Sequence, residues 1–489
     1  MNGVLLMYPP GKMYQRGEDR AQCNVEESVS VEMRACNDLG YAAAILREKG
    51  YDVLLRDYQT EKKDAEYVKN EILAFRPKMI VISVTYGTVV KDLEYARGIL
   101  SFYECLIVLK GAAFFDPEPK ILHELDLEGI RCMIGGEMSF IIGPLADCLL
   151  RGEGNLAQIP GISWYENGEL KKTDFCTFHE NVDELPFPAR DLMNNTLYKR
   201  PDTGEPMATI QISYGCPSGC IYCLTPMLSG RKVRFRSIEN IFSEIEECYY
   251  KYHIRHFFFK ADTFTIDRER AIGLCDRIIH SPLCGKISFT VNSRTDTLSP
   301  QLCAKLKKAG CFMVAVGFES GSDETLRRIG KHADTEKSRE AMRMLREAGL
   351  PVYGFFMVGF PWETEADIRN TFDFALRLRP DYVEIHTAMP YYGTGLYTEC
   401  EKLNTIEGSS FGFDYIAPNT KGTAYVDLAR IERLKKQFLL RFHSDPAFLR
   451  RIAVQCASEP SKLGHYLYYG VRLLKNIVRN HSGKGRESR

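Results

Sequence analysis

Short apolar runs alternate with amphipathic stretches along two separate parts of the chain, and this alternation limits the fold more than any other feature. In the first part, strand-like segments at residues 3–8, 51–57, 79–84, 105–109 and 130–134 are separated by helical periodicity, as at 38–49, 62–75, 90–100 and 138–150. Parallel strands need long crossovers, and a helix in each crossover covers the sheet on both faces. Residues 1–157 are therefore expected to form an α/β, doubly wound, Rossmann-like domain. A second set of strand-like runs at 209–213, 256–260, 287–292, 312–317, 352–358 and 382–386 predicts a partial (β/α)6 barrel of the TIM type over 206–400. Between them, residues 158–205 carry Asn167-Gly168, a hairpin signal, and the extended Leu185-Pro186-Phe187-Pro188, and are expected to link the domains. Residues 401–489 turn irregular and then helical, ending in a basic tail at 481–489.

Ligands of doubly wound sheets bind beyond the carboxyl ends of the strands. Those ends are Tyr8-Pro9-Pro10, Asp57, residues 83–87, Gly111-Ala112 and Gly135-Gly136-Glu137. Glycine after a strand lets backbone approach a ligand, and it serves a plain turn equally well.

Lys plus Arg number 64 against 64 Asp plus Glu, so no global field draws the chain to nucleic acid or to an anionic membrane. No apolar run reaches the roughly eighteen residues of a membrane span, and the first ten residues enter a strand without the basic start of a secretory signal. A cytoplasmic protein with no nucleic-acid and no membrane partner is expected. Most of the 16 cysteines stand singly among apolar neighbours, as do Cys105, Cys148, Cys248, Cys275, Cys303 and Cys311, which suits small buried residues rather than a secreted disulfide framework.

One group of cysteines is tightly spaced. Residues 215–223 read GCPSGCIYC and directly follow the first strand of the second set. Three thiolates this close can wrap one corner of a cubane iron–sulfur cluster and leave the fourth iron open to another ligand. The alternative is a structural zinc site, which needs a fourth ligand; the nearest histidines, His253 and His256, lie about thirty residues on.

With these residues the chain resembles the radical S-adenosylmethionine (SAM) superfamily, whose signature has this spacing and an aromatic residue before the last cysteine, here Tyr222. Over residues 1 to about 400 it is similar to the cobalamin-dependent branch, in which a doubly wound cobalamin-binding domain precedes the barrel. The resemblance implies a [4Fe-4S] cluster on Cys216, Cys220 and Cys223. It implies SAM contacts from Tyr222, Asp262, Arg294, Glu319, Ser320 and Gly359, and a cobalamin bordered by Tyr8, Pro9, Gly40, Asp57, Ser83, Thr85, Gly111, Gly136 and Glu137. Glu319 could accept a ribose hydroxyl and Arg294 could hold the SAM carboxylate, although either could equally be a strand-end ion-pair partner. Only Asp262 carries over where the family often has two acids, since Ala261 precedes it, and Trp362 and Tyr392 replace a glycine and a proline common there. The chain lacks an Asp-x-His-x-x-Gly pattern, so the resemblance implies cobalamin without a protein imidazole, and His123 reads as a surface or helix-end residue.

The leading expectation is a methyltransferase that methylates an unactivated carbon of a small molecule, with an electron donor such as flavodoxin or ferredoxin. A radical oxidative cyclase or rearrangement enzyme, and a cobalamin- or redox-sensing binding module, are the alternatives. Residues 11–37 and 391–425 are rich in aromatic and polar side chains and could shape a substrate site. The stretch at 462–479 mixes aromatics with basic residues and could touch a membrane or a lipid-like substrate, but a packed terminal helix with a solvated tail is the expectation there.

Overall fold

The computed structural model of this 489-residue chain describes residues 3–16, 25, 33–116, 118–175, 177–414, 417–460 and 462–479. The first sheet contains β1 (Gly3–Tyr8), β2 (Asp52–Asp57), β3 (Met79–Ser83), β4 (Leu106–Lys110), β5 (Ile130–Ile134), β6 (Ile162–Glu166) and β7 (Glu169–Lys172), in the order β2-β1-β3-β4-β5-β6-β7. Strands β1 to β5 are parallel. Successive residues of each strand point to opposite faces, and both faces are covered. Val4, Leu6, Val81 and Val108 pack with Leu39 and Ala43 of helix Asn37–Glu48 and Ile142 of helix Met138–Ala146. Leu5, Met7, Ile80 and Ile107 pack with Ile72 of helix Ala65–Phe75 and Leu93 of helix Val89–Leu100. Cover on both sides is why these strands read as continuous apolar runs.

The hairpin falls at Asn167-Gly168, where both residues have positive φ (52° and 79°), as a two-residue type I′ turn requires. Its strands belong to the first sheet, however, β6 running antiparallel to β5. The sheet thus continues past residue 157, into the segment expected to be linker, because the exposed edge of β5 offers unpaired backbone groups that a hairpin can satisfy.

The second sheet is β8 (Met207–Gln211), β11 (His256–Lys260), β12 (Ser288–Arg294), β13 (Cys311–Glu319), β14 (Val352–Val358) and β15 (Tyr382–Thr387), all parallel and in the order β15-β14-β13-β12-β11-β8. Because β15 and β8 do not pair, the barrel is partial. A ribbon of β9 (Ser213–Tyr214) and β10 (Arg234–Phe235) stands at the carboxyl end of β8. Ser237, Asp267, Ser299, Asp334 and Thr364 cap the helices between strands by accepting a backbone N–H two or three residues inside. Helix Leu428–His443 buries Ile431, Leu434 and Phe438 in the barrel core, and helices Pro446–Ser458 and Lys462–Arg479 follow it. The basic tail at 481–489 lies outside the described residues. Among the described residues no helix is long and apolar enough to cross a membrane.

The loops beyond the carboxyl ends of the two sheets meet. Tyr86, after β3, packs against Tyr391, after β15, and against Phe411 and Phe413, with ring centroids 5.0–6.2 Å apart. The aromatic segment at 391–425 therefore joins the domains.

Candidate active site at the facing strand ends

Cys216, Cys220 and Cys223 follow the β8–β9 turn at the barrel's carboxyl rim, and all three are free thiols. Gly215 has φ +87°, and a side chain there would overlap the carbonyl oxygen of Lys232, so only glycine lets the loop turn off β9. The Asp262 carboxylate, just beyond β11, braces the loop by accepting the Gly215 N–H (2.9 Å) and the Thr225 hydroxyl (3.0 Å). Cys220 lies 3.8 Å from the Gly330 carbonyl and accepts from Arg294 Nη1 at 3.8 Å. Asp262 thus serves the loop, a structural task that the expected SAM contact did not include.

Arg294 ends β12. It forks onto Asp296 at 2.9 Å and also donates to the Lys331 carbonyl, so its guanidinium is fixed beside the cysteine loop. Glu319 ends β13 with φ +63°, beyond a register shift against β14, and its carboxylate pairs with Lys331 Nζ at 2.7 Å, both groups buried. Non-glycine residues held in the left-handed region collect at functional sites, where the fold over-determines them. Burial, and then the Glu319 carboxylate beside it, push the Tyr222 phenol well above its ordinary value. Tyr222, Arg294, Glu319 and the cysteines are therefore brought together, with Lys331 as a member the sequence reading missed. Two further residues of the expected SAM set make bonds within the protein. The Ser320 hydroxyl is engaged by Thr371 (3.1 Å) and the Ser322 N–H (3.1 Å), holding its own turn. The Gly359 N–H goes to Glu363 (2.7 Å), which folds the loop after β14 back on itself.

His256 does not complete a zinc site. It opens β11, at the end of the barrel opposite the cysteines, and its ring bonds Ser288 (2.7 Å) and Glu205 (2.6 Å). Among the described residues no three His, Cys, Asp or Glu side chains are gathered to hold a single metal ion. A cubane needs its three thiolates spread wider than one ion does. Three free cysteines on one braced loop, with Arg294 beside Cys220, fit it.

Across from the barrel, polar side chains converge at the carboxyl ends of the paired strands β1 and β3, where the strand order reverses. Asp38, in the first turn of helix Asn37–Glu48, accepts from the Tyr8 hydroxyl (2.7 Å) and Lys110 Nζ (3.0 Å). Burial would raise its pKa, but the Lys110 ammonium and the Tyr8 hydroxyl hold it below the usual carboxylate value. Tyr198, from the linker, donates to Asp57 (3.0 Å), yet burial still pushes the Asp57 carboxyl up to about 6. Arg16 reaches in to the Ser83 carbonyl (2.7 Å) and Asp92 (2.7 Å). Tyr8, Asp57 and Ser83 belong to this buried polar cluster, with Pro9 buried just after β1, while the Thr85 hydroxyl is tied to Thr88 (3.0 Å).

Four other residues of the expected cobalamin set are engaged within the protein. A side chain at Gly40 would overlap Met193, so this glycine seats its helix on the linker. Gly111 packs against the Val84 backbone and Gly136 against Gly161. Glu137 makes a buried ion pair with Arg234 of β10 (2.5 Å), joining the domains instead of facing a ligand. Asn37 Oδ1 and Thr60 Oγ1 are buried without a partner. Two orphaned polar atoms amid Asp38, Asp57 and Ser83 fit an amide-rich ligand such as a corrinoid, which would supply the missing hydrogen bonds.

Residues 210–375 match the radical SAM superfamily. An uncharacterised methyltransferase of Pyrococcus horikoshii is 31% identical over 362 residues, covering 73% of this chain and 77% of that protein. By structure, the chain is similar to the cobalamin-dependent SAM radical enzyme OxsB (TM-score 0.71, 17% identity, 99% of this chain and 75% of that one). It is also similar to the radical SAM methyltransferase TsrM of Kitasatospora setae (TM-score 0.65, 18% identity, 84% of this chain and 78% of that one).

Proposed function

The chain belongs to the radical SAM superfamily, and from that premise we propose that it is a methyltransferase, cleaving SAM reductively at a [4Fe-4S] cluster on Cys216, Cys220 and Cys223 and, with cobalamin, methylating an unactivated carbon of a small molecule. One observation carries the reading: the braced cysteine loop, with Arg294, Glu319 and Tyr222 around it, stands at barrel strand ends whose loops meet those of a second, doubly wound domain carrying a buried polar cluster. Bound cofactors would supply a single electron to the SAM sulfonium and a transferable methyl group.

The protein's own residues hold and orient. Arg294 presents a fixed guanidinium that can take a carboxylate, and Glu319, steadied by Lys331, presents acceptors for ribose hydroxyls. The aromatic contacts of Tyr86, Tyr391 and Phe413 keep water from the seam between the domains. The names of TsrM and of the Pyrococcus protein favour methyl transfer over cyclisation or a sensing role. An electron donor such as flavodoxin or ferredoxin completes the proposal, and a cytoplasmic location suits it.

Anaerobic reconstitution with iron, sulfide and cobalamin tests it. The protein should hold one four-iron cluster, release 5′-deoxyadenosine, and add one CH2 unit to a small molecule from the native extract. Cys216→Ala, Cys220→Ala and Cys223→Ala should each lose the cluster, since three thiolates leave no spare ligand. Normal cluster and SAM cleavage in any of the three would remove the assignment.

A further inference from the structure

Helix Lys462–Arg479 is docked by one face only. Tyr466 bonds Tyr382 (2.8 Å) and Gln455 (2.7 Å), Lys462 pairs with Asp202 (3.5 Å), and Leu473 is buried. The expectation of a packed terminal helix holds for that face. On the other, Leu463, Leu467, Val471 and Leu474 recur at helical spacing and are 50, 61, 50 and 56% exposed, with Tyr468 beside them at 60%. A stripe of four aliphatic side chains in water is a standing cost that a monomeric soluble protein ordinarily avoids. The preceding helix, Pro446–Ser458, leaves Leu449 and Val454 exposed as well.

We propose that this helix is an interfacial anchor that lays its outer stripe into the surface of an anionic lipid bilayer. Charge selects the occupant. Lys462 is taken up by Asp202 and Glu459 at the docked end, but Lys475 is exposed, Arg472 meets only the Val25 carbonyl among the described residues, and the 18 residues include no Asp or Glu. Two copies of the chain meeting through this face would set like charges together, whereas anionic headgroups complement them. Tyrosines beside basic residues are the side chains favoured at the headgroup boundary, and an exposed apolar stripe on a basic helix is the pattern of helices that lie in that plane. The chain's zero net charge gave this reading no wider support, because the imbalance is confined to one element.

The placement leaves the proposed active site open. Tyr382 opens β15 and Asp202 lies before β8, so the helix sits at the amino ends of the barrel strands, away from the cysteine loop. Vesicle co-sedimentation of the reconstituted full-length protein tests the anchor. Wild type should pellet with phosphatidylglycerol–phosphatidylcholine vesicles, bind phosphatidylcholine alone at least ten-fold more weakly, and be released by salt. The double variant L467E/L474E should lose at least ten-fold in vesicle affinity, with its thermal midpoint and 5′-deoxyadenosine production unchanged, because both side chains are in solvent. Lys475→Glu should weaken binding to anionic vesicles only. Absence of wild-type pelleting overturns the proposal, as does equal pelleting of L467E/L474E. So does a wild-type dimer in sedimentation velocity that L467E/L474E makes monomeric without any vesicle binding, since the stripe would then be a self-association surface.

Discussion

Glu363 is a fully buried carboxyl whose Oε2 accepts the Gly359 N–H (2.7 Å) and the Phe360 N–H (3.1 Å), while Oε1 has no partner. Burial outweighs those two bonds and pushes its pKa up to about 8, from 4.5. Below the lower value the group is neutral in both the folded and unfolded chain and adds no pH dependence. Between the two, and fully above the upper one, ionisation favours the unfolded chain, so stability falls as pH rises through that window. Glu363→Gln keeps an acceptor oxygen and removes the titration. It should raise unfolding stability at about pH 9 relative to about pH 5, by a difference on the order of 2–4 kcal/mol; an equal effect at both would show that the carboxyl is not the source. Glu319 poses a different question, because it pairs with the buried Lys331. Glu319→Gln should cost about 3–5 kcal/mol of stability by leaving an unpaired ammonium, and about ten-fold to a hundred-fold in SAM affinity. Adding Lys331→Met should restore the stability but not the affinity, and recovery of both in calorimetry would reduce Glu319 to an ion-pair partner. The three cysteines could be read from sequence because their relation is local, complete within nine residues. Lys331 could not, since it reaches Glu319 only by way of helix Asp323–Arg328 and a turn through Gly330 (φ +71°), and nothing in the intervening sequence marks that return.

Among the elements, strands agree with the sequence where an apolar run has sharp polar or glycine limits, as in β1, β5, β11 and β14. They differ where pairing geometry, not composition, sets the end. β13 runs on to Glu319 because a register shift against β14 lets an acidic residue finish the strand, and the Asn167-Gly168 hairpin joins a sheet edge that no local pattern specifies. The cysteine loop is the element on which chemistry depends, and its shape is held by Gly215 and Asp262. Gly215→Ala forces a Cβ into the Lys232 carbonyl at a left-handed φ, so the loop must move. It should reduce bound iron after reconstitution several-fold although all three cysteines remain. Asp262→Asn, which keeps one acceptor for Gly215 or Thr225, should lose less. Full iron loading in Gly215→Ala, measured by iron and sulfide content, would mean that the thiols do not depend on this turn.

At the scale of the whole molecule, the two domains and their order were legible because each has its own alternation, whereas how they face each other was not. The contacts that fix it join residues far apart in sequence: Tyr14 to Asp414 (3.0 Å), Tyr86 to Phe413, and Glu137 to Arg234. For the same reason Glu137 read as a ligand contact, since a carboxylate after a strand looks alike whether it meets a cofactor or an arginine from the next domain. The Glu137–Arg234 pair is almost fully buried, with side-chain exposures of 6 and 2%, and Arg234 also donates to the carbonyls of His179 and Ser229 at 2.8 and 2.9 Å. An isolated charge left in such a place is worse than no charge at all. Arg234→Met should therefore destabilise the protein by about 3–5 kcal/mol and open the seam to proteolysis near residues 173–206, while Glu137→Met in the same chain should recover a large part of that loss by removing the stranded carboxylate. If instead the two substitutions simply add in thermal unfolding, the pair does not hold the domains together, and the aromatic contacts around Tyr86 and the Tyr14–Asp414 bond must do so.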